Sequence, residues 1–352
     1  MKKLLIIAMA LMSLSAMAQP VATPTKPGIN GDAVTYFLPK SAIRLQLLIE
    51  KRVYTPGDFC KYAEKYLRMT GIEQEEVVTY TVVNFGINQI GVRDTSKCYT
   101  VKLKGKTVGA DIRLNEEGVL QAVNAEPVAV PEMKHFKPGP QPERINPRQY
   151  LSAEVLAAGS MAKMAELTVQ QIIELQERRQ ALITGEADDT PADKQQLQLM
   201  LDEIEKEREA LMSMFLGTTT RDTTEQIVTV CPDKEVEREV IFRINKKLGL
   251  VDKDDLSGIP YYMTVQDMHR TPTQQYDMAD KKKEGGFWVN VPGRIKVTLQ
   301  REEHLLGAFD LYAAQFGFVE CRSGSLFTRY VTHMILNPVH GSVDRINAEM
   351  PK

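Results

Sequence analysis

Between residues 146 and 217 apolar side chains recur at helical spacing over a stretch far longer than a strand would need, and this constrains the fold more than any other feature of the chain. Leu151, Val155, Ala158, Ala162, Ala165, Val169 and Ile172 follow one another in steps of three and four, so they share one face of a helix. Asn146 offers a side-chain acceptor to the first turn, and Pro147 gives up a donor that would have no partner there. Gly159 interrupts the pattern at a cost of about 1 kcal/mol relative to Ala, which predicts two helices that meet near it, the second running from Ser160 to Ile183. Thr184 and Gly185 close it. The polar link at 186–193 carries one proline and reads as an exposed turn. Leu197, Leu201, Ile204, Leu211 and Phe215 then line a second helix, and the short link makes the two antiparallel. At 1.5 Å per residue the pair would project about 30 Å.

The grammar on both sides is that of strands. Ile43, Leu45, Leu47 and Ile49 alternate with Arg44, Gln46 and Leu48, and residues 77–84, 98–103, 237–245, 260–266, 293–301 and 328–337 are β-branched or alternate at period two. Thr55-Pro56-Gly57-Asp58 reads as a capping box before a short helix through Tyr62, Tyr66 and Leu67. The expected fold class is therefore α+β, with two β-rich units flanking a long antiparallel helical hairpin. The expected divisions are a disordered mature N-terminus at 19–31, an N-terminal β-rich unit at 32–126, a Pro-rich linker at 127–146, the hairpin at 147–217 and a C-terminal β-rich unit at 218–352. Two turns also look alike. Ile112-Arg-Leu114-Asn115 followed by Gly118 aligns with Met334-Ile-Leu336-Asn337 followed by Gly341, and Pro39 and Pro292 each stand just ahead of a strand.

Met1-Lys2-Lys3, an apolar run from Leu4 to Leu14, and Ala16-Met17-Ala18 make residues 1–18 a secretory signal peptide cut after Ala18. No later apolar run reaches the ~20 residues of a membrane helix, which predicts a soluble periplasmic or extracellular protein. The net charge of −2 lacks the basic excess of a nucleic-acid binder. Cys60, Cys98, Cys231 and Cys321 stand two on each side of the central stretch in a disulfide-permissive compartment, and three connectivities are open to them.

No pattern assigns catalytic, cofactor-binding or metal-binding residues. Gly-x-Ser-x-Gly is absent, and Ser323-Gly324-Ser325 has no nucleophile context. His135, His269, His304, His333 and His340 lack metal-ligand spacing. Glu186, Asp188, Asp189 and Asp193, like Asp252, Asp254 and Asp255, lack the spacing of a calcium loop and read as solvated turns, as does the run Lys281-Lys282-Lys283-Glu284-Gly285-Gly286. Phe287 and Trp288, with Tyr261 and Tyr262, could supply a platform for a sugar ring, although aromatic residues in strands more often pack in the core.

Tyr36-Phe-Leu-Pro-Lys40, Tyr54-Thr-Pro-Gly-Asp58-Phe59, Lys61-Tyr62-Ala-Glu-Lys-Tyr66-Leu67, Met161-Ala-Lys-Met-Ala-Glu166, Leu182-Ile-Thr-Gly-Glu186 and Ala314-Gln-Phe-Gly317 together resemble DUF4831, a family of exported proteins from Bacteroides-type bacteria without an assigned activity. The resemblance implies an address and no residue roles. The expected function is a non-catalytic structural or protein-interaction role in the cell envelope, with another envelope protein as partner. The alternative is a glycan-binding module or cryptic hydrolase.

Overall fold

The computed structural model describes residues 28–30, 33–102, 111–130, 132–137, 139, 145–187, 193–271 and 286–350. The signal peptide expected at 1–18 and the lysine run at 281–285 lie outside these residues. In chain order the strands are β1 (Gly28–Asn30), β2 (Ala33–Thr55), β3 (Val77–Lys102), β4 (Ile112–Leu114), β5 (Leu120–Val123) and β6 (Thr218–Val230). After them come β7 (Val236–Asn245), β8 (Gly249–Val251), β9 (Ile259–Asp267), β10 (Phe287–Arg301), β11 (His304–Arg322), β12 (Val331–Leu336) and β13 (Val343–Glu349). The α-helices are α1 (Ala63–Leu67), α2 (Ala153–Leu156), α3 (Met161–Thr184), α4 (Lys194–Leu216) and α5 (Ser325–Arg329).

Every paired strand runs antiparallel to its neighbours, in three sheets. The first has the order β1-β2-β3 with β6 on the other side of β2; the second is β11-β10-β9-β7-β8; the third is β13-β12-β5-β4. Ile43, Leu45, Leu47 and Ile49 of β2 face Phe242, Tyr261, Met263, Ile295, Val297 and Leu299, so the first and second sheets sandwich one core. Val34, Tyr36 and Leu38 of the same strand join Phe287, Val289, Leu120, Val123, Met334 and Leu336 in another. At about 1.5–3 kcal/mol for each large apolar side chain buried, these two clusters are the main stabilising term.

Both long central strands pass from one core into the other, and a proline marks each crossing. A proline cannot donate to a ladder, so pairing has to break there. The register jumps from Phe37↔Cys98 to Pro39↔Arg93 in β2, and from Val291↔Phe318 to Gly293↔Ala313 in β10. In β2 the break also swaps the buried parity, from even positions at Val34, Tyr36 and Leu38 to odd ones at Ile43, Leu45 and Leu47. Ser41 and Asn290, fully buried beside the two crossings, are both satisfied. The Ser41 N–H donates to Gln315 Oε1 at 3.0 Å, and Asn290 Nδ2 donates to the carbonyls of Pro39 and His340 at 2.8 and 2.9 Å.

This overturns the expected fold class. Among the described residues 49% are strand and 23% helix, and the β segments are not two units standing on either side of a helical hairpin. β6, which follows the helices in sequence, pairs with β2 from Ile43↔Val230 to Thr55↔Thr218, and β12 pairs with β5 at Met334↔Val123. The halves are interleaved in shared sheets, because a strand edge left by one half is completed by the other. Helices do occupy 161–184 and 194–216, capped by Ser160 and Asp193, but they pack with α1, α2 and the turn after β2 in a separate cluster of Phe59, Ala63, Val155, Ala165, Leu211 and Phe215.

Two smaller expectations also change. Asp58 does not cap a helix, since its carboxylate is taken by Arg148, whose Nη2 lies at 2.9 Å, and α1 starts only at Ala63 after a 3-10 turn at Cys60–Tyr62. The N-terminal stretch expected to be disordered to residue 31 contains β1, paired with β2 through Ile29↔Val34. In the proline-rich stretch, the Lys134 carbonyl accepts from Gln46 Nε2 at 3.0 Å, and the Phe136 N–H donates to Glu225 at 3.2 Å, so this segment lies over the outer face of the first sheet.

Candidate functional site

Between the first and second sheets lies a cleft of about 200 Å³, lined by Leu45, Leu47, Val82 and Phe85 of the first and Phe242 and Leu299 of the second. Alternation within each strand turns these residues inward, and polar groups stand at the mouth: Asn84 of β3, and Gln300 and Arg301 at the end of β10, beside Leu306 of β11. Tyr261 lies flat on Phe242, with ring centroids 4.5 Å apart and planes at 19°. Burial pushes its phenol pKa up, and the Arg301 guanidinium at its hydroxyl pulls the other way. Val83 and Leu306 of the lining expose 49% and 37% of their surface. Arg301 is the one charged side chain that lines the cleft, among the described residues. Glu303 in the β10–β11 turn is held by Arg238 at 3.1 Å.

A second hollow of about 340 Å³ opens between β6 and β7, lined by Val230, Cys231, Asp233, Lys234, Glu239 and Met263. Although larger, it carries charges of both signs, and Asp233 is occupied by Lys40 at 3.1 Å. Burial raises the Cys231 thiol pKa while Lys40 opposes it, and the net direction is up, so Cys231 is not an activated thiolate. The wall of the smaller cleft, apolar with a few convergent polar groups, is the better match to a ligand site.

The residues singled out from sequence do not come together. His135 meets Glu225 at 2.9 Å on the outer face, His269 sits beside Asp267 at 3.2 Å, and the His333 ring bonds the Asn124 carbonyl. His340 is half-buried near Tyr312, and His304 opens β11. Among the described residues no three His, Cys, Asp or Glu side chains are placed to share a metal ion. Asp252 and Asp255 accept from the backbone of Asp254 and Ser257, which makes them turn-forming, and Asp193 caps α4; Asp188 and Asp189 lie outside the described residues. The four-aromatic platform is not assembled. Trp288 stacks on Tyr99 at 5.5 Å and pairs with Cys321, whereas Tyr261 faces Arg301 across the sheet and Tyr262 lies beneath Arg238. Cys60, Cys98 and Cys231 are in no disulfide. The sequence held no signal for Arg301 or for Tyr261 as its neighbour, because only strand register joins them.

Fold and cleft together define a predominantly β protein, a sandwich crossed by two proline-broken strands with one apolar inter-sheet cleft that carries a cation at its mouth. The chain belongs to the family described as Domain of unknown function (DUF4831), whose model matches residues 32–344. No curated protein and no solved structure matches it. Among the described residues no helix is long and apolar enough to cross a membrane.

Proposed function

We propose that this protein, exported through the leader at residues 1–18, serves in the cell envelope in a non-catalytic structural or protein-interaction role, exerted by binding. The observation that supports this reading is the chemistry of the cleft: aliphatic and aromatic walls, two amides and one guanidinium, with no nucleophile beside a base among the described residues. A site of this chemistry suits holding a ligand more than converting it. Two measurements test the reading. Cell fractionation should place the mature chain, starting at Gln19, outside the cytoplasm. Purified protein should turn over none of a panel of glycoside, ester and peptide substrates; a turnover removed by Arg301→Gln or Tyr261→Phe would replace binding with catalysis. The glycan reading would use Trp288, and a glycan-array signal that Trp288→Ala abolishes would favour it over the cleft.

A further inference from the structure

We infer that the inter-sheet cleft is a site for a small anionic amphiphile, a single short acyl or aryl group bearing a carboxylate, whose apolar part enters between Leu47 and Leu299 while the carboxylate meets Arg301. This deepens the binding reading above and rests on it. Three features of the cleft carry the inference.

Size sets the apolar part. A cleft of about 200 Å³ exceeds the ~150 Å³ cavity that admits benzene, and falls below the roughly 300–1,000 Å³ typical of larger ligands. It suits one ring or one short chain and has no room for a diacyl lipid. Charge sets the head group. Arg301 reaches the mouth with no carboxylate partner among the described residues, while Arg238 in the same corner is taken by Glu303. A guanidinium beside a phenol, with the amides of Asn84 and Gln300 nearby, presents donors to a carboxylate in the fork geometry that arginine favours. The rim sets the route. Val83 and Leu306 expose apolar surface at the opening, where the part of a chain that emerges from the cleft can lie. An ammonium head would be repelled at this mouth, and an uncharged alcohol would lose the charge-assisted bond.

The probes are octanoate, octanol and octyltrimethylammonium, titrated calorimetrically into the mature chain, with thermal denaturation as a second readout. Octanoate is expected to bind saturably and raise Tm, with the cation weakest. Arg301→Gln, a change at an exposed side chain, should weaken octanoate about three- to tenfold and bring it level with octanol. Leu306→Trp, which plugs the mouth from the surface, should abolish binding of all three while retaining a cooperative melt. If octanol binds as well as octanoate and Arg301→Gln changes neither, the anionic preference is wrong and the binding reading survives. If none of the three binds, the cleft is not a ligand site and both fall.

Discussion

The backbone N–H of Asn290 donates to the carbonyl of Gly341 across 3.1 Å, and the same bond recurs in the first half of the chain, from Phe37 to Gly118 at 2.9 Å. Phe37 and Asn290 each stand two residues before the proline at a strand crossing, and Gly118 and Gly341 each close a turn opened by an asparagine, at φ of 78° and 67°. In those turns Asn115 Oδ1 accepts from Glu117 and Val119, and Asn337 Oδ1 accepts from Val339 and His340. The halves share this local design, and the two copies touch: Asn290 Nδ2 bonds the Pro39 carbonyl, and Gly341 packs on the Pro39 ring. The junction of the cores is therefore where a small change should cost most.

Gly341→Ala tests that directly. The left-handed conformation alone costs a non-glycine residue about 1–2 kcal/mol, and an added Cβ would lie 2.6 Å from Pro39 Cδ, in a ring that cannot swing away. The expected loss is about 2 kcal/mol or more by urea denaturation. Gly159→Ala is the control, since its Cβ would meet open space, and it should stay within about 0.5 kcal/mol of the parent. Equal effects of the two would remove the crossing from its place in the stability of the fold.

Tyr36→Phe asks how far one hydroxyl ties the first sheet to the second. Fully buried Tyr36 accepts from the Trp288 N–H at 2.7 Å and donates to the Trp288 carbonyl at 3.2 Å, at the part of β10 that β9 does not reach. Burial holds its pKa well above the ordinary value, so the hydroxyl stays protonated and able to donate. Phenylalanine keeps the packing and strands two backbone groups, at a cost of about 1–3 kcal/mol. Trp288 is the single tryptophan, so fluorescence-detected unfolding reads this site; an unchanged midpoint would mean that water satisfies both groups.

The acid limb of stability should contain a contribution from His340. Burial lowers its pKa below the ordinary value, with Asp344 acting in the opposite direction, and its Nδ1 is buried without a hydrogen-bond partner among the described residues. In the window between the lowered value and the ordinary ~6.5, the unfolded chain binds more protons than the folded one. Stability therefore rises with pH through that window and is lost as pH falls. His340→Gln should flatten the dependence of the unfolding midpoint on pH below about 6.5, leaving the higher range alone. A variant as acid-sensitive as the parent would assign that limb to other groups.

Some of this architecture could be read from the chain and some could not, for physical reasons that differ by element. A helix is decided within a few turns, so the spacing from Ser160 to Ile183 was legible, although the cap that Ser160 supplies was not read. β2 showed its period only at Ile43–Ile49, because Pro39 swaps the inward face and scrambles the pattern of a 23-residue strand. Its pairing with β6 leaves no local mark at all, since Ile43↔Val230 depends on which edge remains open once the sheets assemble. Weighted toward the stronger local signal, a reading from sequence puts the helices at the centre and divides the strands between them. The cleft was invisible on the same grounds: Leu47, Tyr261 and Arg301 belong to three strands and meet only in the folded register.

Gly57→Ala should separate the helical part from the β scaffold. A Cβ on Gly57 would lie 2.2 Å from the Met214 carbonyl oxygen, which is backbone and cannot yield, and that same oxygen accepts the Phe59 N–H at 2.7 Å. The added methyl pushes the turn before α1 off the C-terminal end of α4 and pulls Phe59 away from Phe215, whose ring centre is 5.3 Å from its own. These rings belong to a cluster that shares no residue with the two sheet cores, so the damage should remain local. Amide exchange is expected to quicken through α3 and α4 while the amides of β10 keep their protection. Faster exchange spread evenly over sheets and helices would show that the helices unfold only together with the sandwich, and that their cluster is not an independent cooperative unit.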